Sequence, residues 1–225
     1  YCAVGVLLIL PLMGIARQHV LLYHDTETLF AENYRRYPTV PFVATQYAAG
    51  LIANQKFIKA YPVADHAVRL APQSAESWRQ KGKVLLGLNR APEACAAYEQ
   101  ALTLAPADEN NIIGYATIVL HAVPNRVPQV IPLLQGAITR NPQNFANYCL
   151  LGNALYLSGQ FDDALRNFEM AERLGTPPAD TLYYHGKLLI ERGEKDKAIP
   201  LLRQACERTQ NPQYQKTLRE AESKL

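Results

Sequence analysis

Apolar residues recur three to four positions apart along most of the chain, and clusters of proline, glycine and polar residues interrupt them at regular intervals. This spacing is typical of amphipathic α-helices that bury one face. Proline at the end of such a stretch stops the helix, because it cannot continue the hydrogen-bond ladder. The pattern therefore predicts an all-α protein built from short helices.

The interruptions return with a period close to 34 residues. A Leu-Ala-Pro tripeptide ends at Pro72 and again at Pro106, 34 positions later. Pro38 precedes Pro72 by the same step, and Pro142 and Pro177 follow at steps of 36 and 35. Repetition at a fixed period of this length indicates stacked structural repeats, in which each unit covers the apolar face of its neighbour.

Small and large residues also recur at fixed places within the units. In the clearest unit, Gly82 and Ala94 are small enough to let two helices approach closely, and Tyr98 is expected to fill the space between successive units. The third unit is the most degenerate and carries a two-residue insertion near residues 121–126. The five units cover residues 41–74, 75–108, 109–144, 145–178 and 179–210.

This period and internal pattern resemble the tetratricopeptide repeat (TPR), a helix–turn–helix unit. The resemblance implies a TPR superhelical solenoid of about five helix pairs. Residues 212–225 carry charges on one face, so they are predicted to form a C-terminal capping helix, and the array with its cap is assigned to residues 41–225.

The N-terminal segment is predicted to be a membrane helix over residues 1–24, joined to the array by a linking helix over residues 25–40. Residues 1–16 carry no charge, and 23 helical residues would span about 35 Å, which is enough to cross a bilayer. Two alternatives are a signal peptide, although no charged region precedes the apolar stretch, and a soluble core helix.

The junction around Asp25 to Phe30, between the apolar segment and the first repeat, resembles that of the transmembrane and TPR O-mannosyltransferases and their bacterial relatives. This resemblance implies that the chain is the C-terminal part of a multi-span membrane protein, with its repeats on the extracytoplasmic side. Nothing in the sequence corresponds to the catalytic acidic residues of those enzymes, which lie in early membrane loops.

Composition and motifs give no sign of catalysis in this chain. The net charge of +3 is small and scattered, which argues against nucleic acid binding. None of the four cysteines forms a Cys-x-x-Cys pair or has a histidine at ligand spacing, so neither a metal site nor a cofactor is expected. Nucleotide-binding, nucleophile and zinc-protease motifs are also absent.

By analogy with other TPR proteins, fixed positions of each first helix face a ligand groove. The basic members suggest an acidic peptide as the partner, and Asn153 would bind the peptide backbone. The alternative is that these residues are ordinary solvent-facing side chains. The predicted groove residues are Arg79, Lys83, His121, Asn153, Tyr156, Tyr183 and Lys187.

The sequence favours a membrane-tethered TPR scaffold that binds a protein or peptide within a larger complex. A second hypothesis is the non-catalytic C-terminal TPR region of a membrane glycosyltransferase, which would present the acceptor protein. A third is a structural subunit that stacks end to end, and the charged helix over residues 212–225 argues against it.

Overall fold

The computed structural model describes residues 26–223, which fold into twelve α-helices and one short 3-10 turn at Pro124–Arg126. The helices are α1 (Thr26–Arg36), α2 (Pro41–Ala53), α3 (Phe57–Leu70), α4 (Ala75–Gly87), α5 (Ala91–Leu104), α6 (Glu109–Ala122), α7 (Val127–Arg140), α8 (Phe145–Leu157), α9 (Phe161–Leu174), α10 (Ala179–Glu191), α11 (Lys195–Arg208) and α12 (Pro212–Glu222).

The predicted membrane helix over residues 1–24 lies outside the described residues. None of the twelve described helices is long and apolar enough to cross a membrane. Helix α1 falls within the predicted linking segment.

The chain divides into two compact units, of which unit 1 contains α1–α5 and unit 2 contains α6–α12. Each first helix packs on its own second helix, which gives the pairs α2–α3 and α4–α5 in unit 1 and α6–α7, α8–α9 and α10–α11 in unit 2. The first helices also contact one another, α2 with α4 in unit 1, and α6 with α8 and α8 with α10 in unit 2. The five predicted helix pairs are therefore present.

Glycines of the first helices allow this close pairing. A Cβ atom at Gly82 would lie 2.5 Å from the Tyr98 ring, and one at Gly152 would lie 2.6 Å from the Phe168 ring. The sequence predicted that Tyr98 fills the space between successive units. The structure shows its ring against Gly82 of its own pair, because that glycine leaves room for an aromatic ring.

The polar residues after the repeat prolines cap the next first helix. Ser74 Oγ accepts a hydrogen bond from the backbone N–H of Ser77 at 3.2 Å, and Asp108 and Asn144 act in the same way at the starts of α6 and α8. These side chains accept hydrogen bonds from backbone N–H groups that have no partner within the helix. The predicted insertion in the third unit is where the 3-10 turn forms, immediately before α7.

Helix α12 covers the end of the last pair, as predicted for a cap. The Tyr214 ring stacks on the Tyr183 ring with centroids 4.1 Å apart, and Ala221 is buried in the same apolar cluster as Leu182 and Leu202. The outward side of α12 is charged, which suits the last element of a stack.

Candidate functional site

The first-helix face of unit 2, formed by α6, α8 and α10 and extended by α12, carries most of the predicted groove residues. His121 lies on α6, Asn153 and Tyr156 on α8, and Tyr183 and Lys187 on α10. Four of these five residues line two neighbouring cavities, described in turn below, and the fifth, Tyr156, lies beside Lys187.

The larger cavity, called here the apolar cavity, has a volume of about 400 Å³ and lies between α6, α8 and α10. Its walls are mainly apolar, with Ile113, Phe145, Leu150 and Pro178 among the contributing residues. A concave apolar surface with a few polar groups is the usual form of a binding site.

Asn153 is a buried polar residue that lines the apolar cavity. Its side chain is 5% exposed, and its Oδ1 atom has no hydrogen-bond partner in the structure. A buried amide oxygen without a partner is costly, by about 1–3 kcal/mol, so native proteins rarely keep one without a reason. A main-chain N–H from a bound polypeptide would satisfy it.

A contact between a histidine and a carboxylate lies at the rim of the apolar cavity. His121 Nε2 is 3.2 Å from Asp180 Oδ2, and the Tyr214 hydroxyl donates a hydrogen bond to the other oxygen of Asp180. His121, a predicted groove residue, therefore lines the cavity and faces a carboxylate there. Asp180 was missed by the sequence analysis, although it stands at the second position of its unit, where groove-facing residues are expected.

Cys149 also lines the apolar cavity but is not set up as a nucleophile. Its side chain is buried, and burial raises the pKa of its thiol to about 11. A thiol in this state stays protonated at neutral pH, and only the thiolate reacts readily. Cys149 therefore acts as part of the apolar wall.

A second cavity of about 320 Å³ lies between α10 and α12. The Lys187 ammonium lies 5.5 Å from the centroid of the Tyr156 ring and 5.7 Å from that of Tyr183, within the range of cation–π attraction. The Tyr156 hydroxyl donates a hydrogen bond of 3.0 Å to Glu191. Burial and this bond to a carboxylate raise the pKa of Tyr156, so its hydroxyl remains a donor.

The two remaining predicted residues, Arg79 and Lys83, lie on α4 in unit 1. Arg79 forms an ion pair with Glu76, and its side chain is only 13% exposed. The role of Arg79 as a groove residue stays a prediction, and in the structure its guanidinium already faces a carboxylate. Burial, and then the charge of Arg79, lower the pKa of Lys83.

No group of three or more His, Cys, Asp or Glu side chains within residues 26–223 could hold a metal ion. What the face of unit 2 can do chemically is accept and donate hydrogen bonds, bury apolar side chains and present an ammonium group.

Comparison with known families shows matches over much of the chain. The family model of the cytochrome c-type biogenesis protein H TPR domain matches residues 66–183, and a tetratricopeptide repeat model matches residues 180–208. No curated protein matches the chain in a sequence comparison.

Solved structures share the fold at low sequence identity. PilF of Pseudomonas aeruginosa is 13% identical with a TM-score of 0.70, and the match covers 94% of this chain and 95% of PilF. YrrB, described as a TPR protein with an unusual peptide-binding site, is 19% identical with a TM-score of 0.65 over 85% of this chain and 97% of YrrB. MamA of Desulfovibrio magneticus RS-1 is 16% identical with a TM-score of 0.63, covering 74% and 93%. At these identities the likeness shows the fold alone.

Proposed function

Since the chain belongs to the family of cytochrome c-type biogenesis protein H TPR domains, we propose that it is a non-catalytic scaffold that binds a polypeptide segment on the first-helix face of unit 2. Repeat arrays of this kind expose rows of side chains along which an extended partner can lie. Binding of proteins or peptides is typical of TPR proteins in general. The proposed location of the site is argued from the two cavities of this chain.

The observation that carries this proposal is the Oδ1 atom of Asn153, which is buried, without a partner, and placed in an apolar cavity. An apolar small molecule would fill the cavity but leave this oxygen unpaired. A polypeptide segment supplies both an apolar side chain and a main-chain N–H, so it matches both features.

We further propose that residues 1–24 tether the scaffold to a membrane and that the array lies on the extracytoplasmic side, within a larger complex. The uncharged stretch over residues 1–16 supports the tether. The glycosyltransferase alternative rests on the junction around Asp25 to Phe30 and stays a prediction.

A peptide-library experiment tests the binding role. The full chain, kept in detergent micelles, is incubated with short peptides that carry Leu or Phe at one central position, and with a matched library that carries Ser there. We expect capture of the apolar library and little capture of the Ser library. Equal capture of both, or of neither, would contradict the proposed site.

The variant Asn153→Ala separates binding from folding. We expect it to weaken binding of the captured peptides about tenfold, because a hydrogen bond to the peptide is lost. Its unfolding free energy should not fall, because the variant removes a buried oxygen that has no partner in the free protein. Asn167→Ala on α9 is the matched control, since Asn167 donates only to the Asp163 carbonyl within its own helix, and it should bind like the wild type.

A further inference from the structure

The second cavity is lined by Lys187, whose ammonium group has no carboxylate within ion-pair distance among residues 26–223. The ammonium rests on the Tyr156 and Tyr183 rings. The two acidic side chains that line the cavity are engaged elsewhere. Glu191 accepts the hydrogen bond of Tyr156, and Glu220 lies 3.9 Å from the Lys216 ammonium.

A partly buried ammonium in this setting favours an anionic ligand. Ring faces compensate only part of the hydration that an ammonium loses on burial, whereas a carboxylate adds charge-assisted hydrogen bonds. Gln213 of α12 also lines the cavity, and its side-chain amide can donate a hydrogen bond to a second carboxylate oxygen.

The depth of the ammonium favours a side-chain carboxylate over the carboxylate of a chain terminus. Lys187 is half-buried, and its ammonium rests on two buried rings, those of Tyr183 (6% exposed) and Tyr156 (9% exposed), which form the floor of the face here. An aspartate or glutamate side chain can reach this floor while the main chain passes above it. A C-terminal carboxylate is attached directly to the main chain, which would have to descend into the cavity.

Both cavities use α10, and this fixes the spacing of the ligand. Thr181 lines the apolar cavity, and Lys187 lines the second cavity six residues further along the same helix. Six helical residues correspond to about 9 Å, which an extended polypeptide covers in about three residues.

We propose that the second cavity binds an acidic side chain of the same polypeptide segment whose apolar residue fills the apolar cavity, with the two about three residues apart. This inference rests on the proposed function, since it names the ligand class of that site. It replaces a generally basic groove, as the sequence suggested, with one defined position for a carboxylate.

Pairs of synthetic peptides test this assignment. The two peptides of a pair share a central Leu and differ only in having Glu or Gln at one flanking position. This position is moved stepwise along the peptide from pair to pair. All C-termini are amidated. Binding to the full chain in detergent micelles is measured by calorimetry. We expect the Glu peptide to bind about tenfold more tightly when it lies about three residues from the Leu, and no preference at more distant positions.

Substitution of the ammonium shows whether Lys187 causes the preference. Lys187→Gln should abolish the preference for Glu and leave the affinity of the Gln peptide unchanged, while circular dichroism confirms the fold. Lys197→Gln removes the same charge from an exposed position on α11 and should keep the preference.

Three outcomes contradict the inference. The first is equal affinity for Glu and Gln peptides in the wild type, and the second is a preference that survives in Lys187→Gln. The third is tighter binding of the same peptide when its C-terminus is left free instead of amidated, with no difference between Glu and Gln, which would assign the cavity to a terminal carboxylate. In all three cases the Leu-dependent binding persists, whereas loss of all binding would contradict the proposed function itself.

Discussion

At the scale of single residues, glycine determines how closely the paired helices approach. The Phe168 side chain is fully buried, and its ring occupies the space that a Cβ atom at Gly152 would need. The same contact recurs between Gly82 and Tyr98 and between Gly186 and Leu202. The missing methyl group at these positions is therefore a packing requirement of each pair.

Gly152→Ala should lower the free energy of unfolding by about 1–3 kcal/mol, because the buried ring must move to admit the methyl group. Denaturant unfolding followed by circular dichroism measures this change. Gly136→Ala on α7 is the control, since its new Cβ would meet only the end of the flexible Arg140 side chain at 3.4 Å. That variant should gain about 0.5–1 kcal/mol from helix propensity, and a loss at both sites would contradict the packing argument.

At the scale of helices, proline occurs inside three second helices at the same register. Pro62, Pro132 and Pro200 are each the sixth residue of α3, α7 and α11, and all three are exposed. Each removes an N–H donor, so one carbonyl in the preceding turn loses its bond within the helix. Water can reach that side of the helix, and tertiary packing of the opposite face keeps the helix continuous.

Pro132→Ala should therefore raise the free energy of unfolding by about 2 kcal/mol. It restores a helical hydrogen bond at an exposed site, and this gain exceeds the loss that comes from the greater conformational entropy of the unfolded chain. Chemical denaturation of the full chain measures the gain. Pro212→Ala at the start of α12 is the comparison, because proline is well tolerated in the first turn, where no helical bond is lost. It should change stability little, and an equal gain at both positions would refute this explanation.

At the scale of the whole molecule, each unit buries a group whose protonated form is favoured by folding. Burial raises the pKa of Tyr98 in unit 1 to about 12 and that of Cys149 in unit 2 to about 11. Both contributions to stability are complete below the ordinary pKa values of the two groups. They are lost as the pH rises towards the folded-state values, because the unfolded chain releases these protons first.

The free energy of unfolding of unit 1 should therefore fall between about pH 10 and pH 12. In Tyr98→Phe it should fall less steeply over the same range. The fluorescence of Trp78, the single tryptophan, reports the unfolding of that unit in denaturant at each pH. Tyr37→Phe is the control, because Tyr37 is 55% exposed, and it should follow the wild-type curve. Identical pH dependence in wild type and Tyr98→Phe would exclude the buried hydroxyl as the cause.

The sequence by itself determined the repeats, the five helix pairs and the C-terminal cap. These follow from local patterns, since a helix end depends on nearby residues such as Pro72 and Ser74, and pairing depends on a small residue such as Gly82 at a fixed place. The sequence also predicted Asn153 and Lys187 as groove residues, because a constant period brings equivalent positions to one face, and the structure shows each of them lining a cavity.

Only the tertiary structure decided which charges remain available to a ligand. Arg79 is paired with Glu76, His121 faces Asp180, and the Lys187 ammonium rests on tyrosine rings. Whether two side chains meet depends on their rotamers and on the register between helices. The contacts of His121 with Asp180 and of Lys187 with Tyr156 join residues far apart in the sequence. Periodicity predicts which face a residue occupies, but it does not predict which side chain lies opposite. For this reason the sequence predicted a generally basic groove, whereas the contacts in the structure led us to propose one position for a carboxylate.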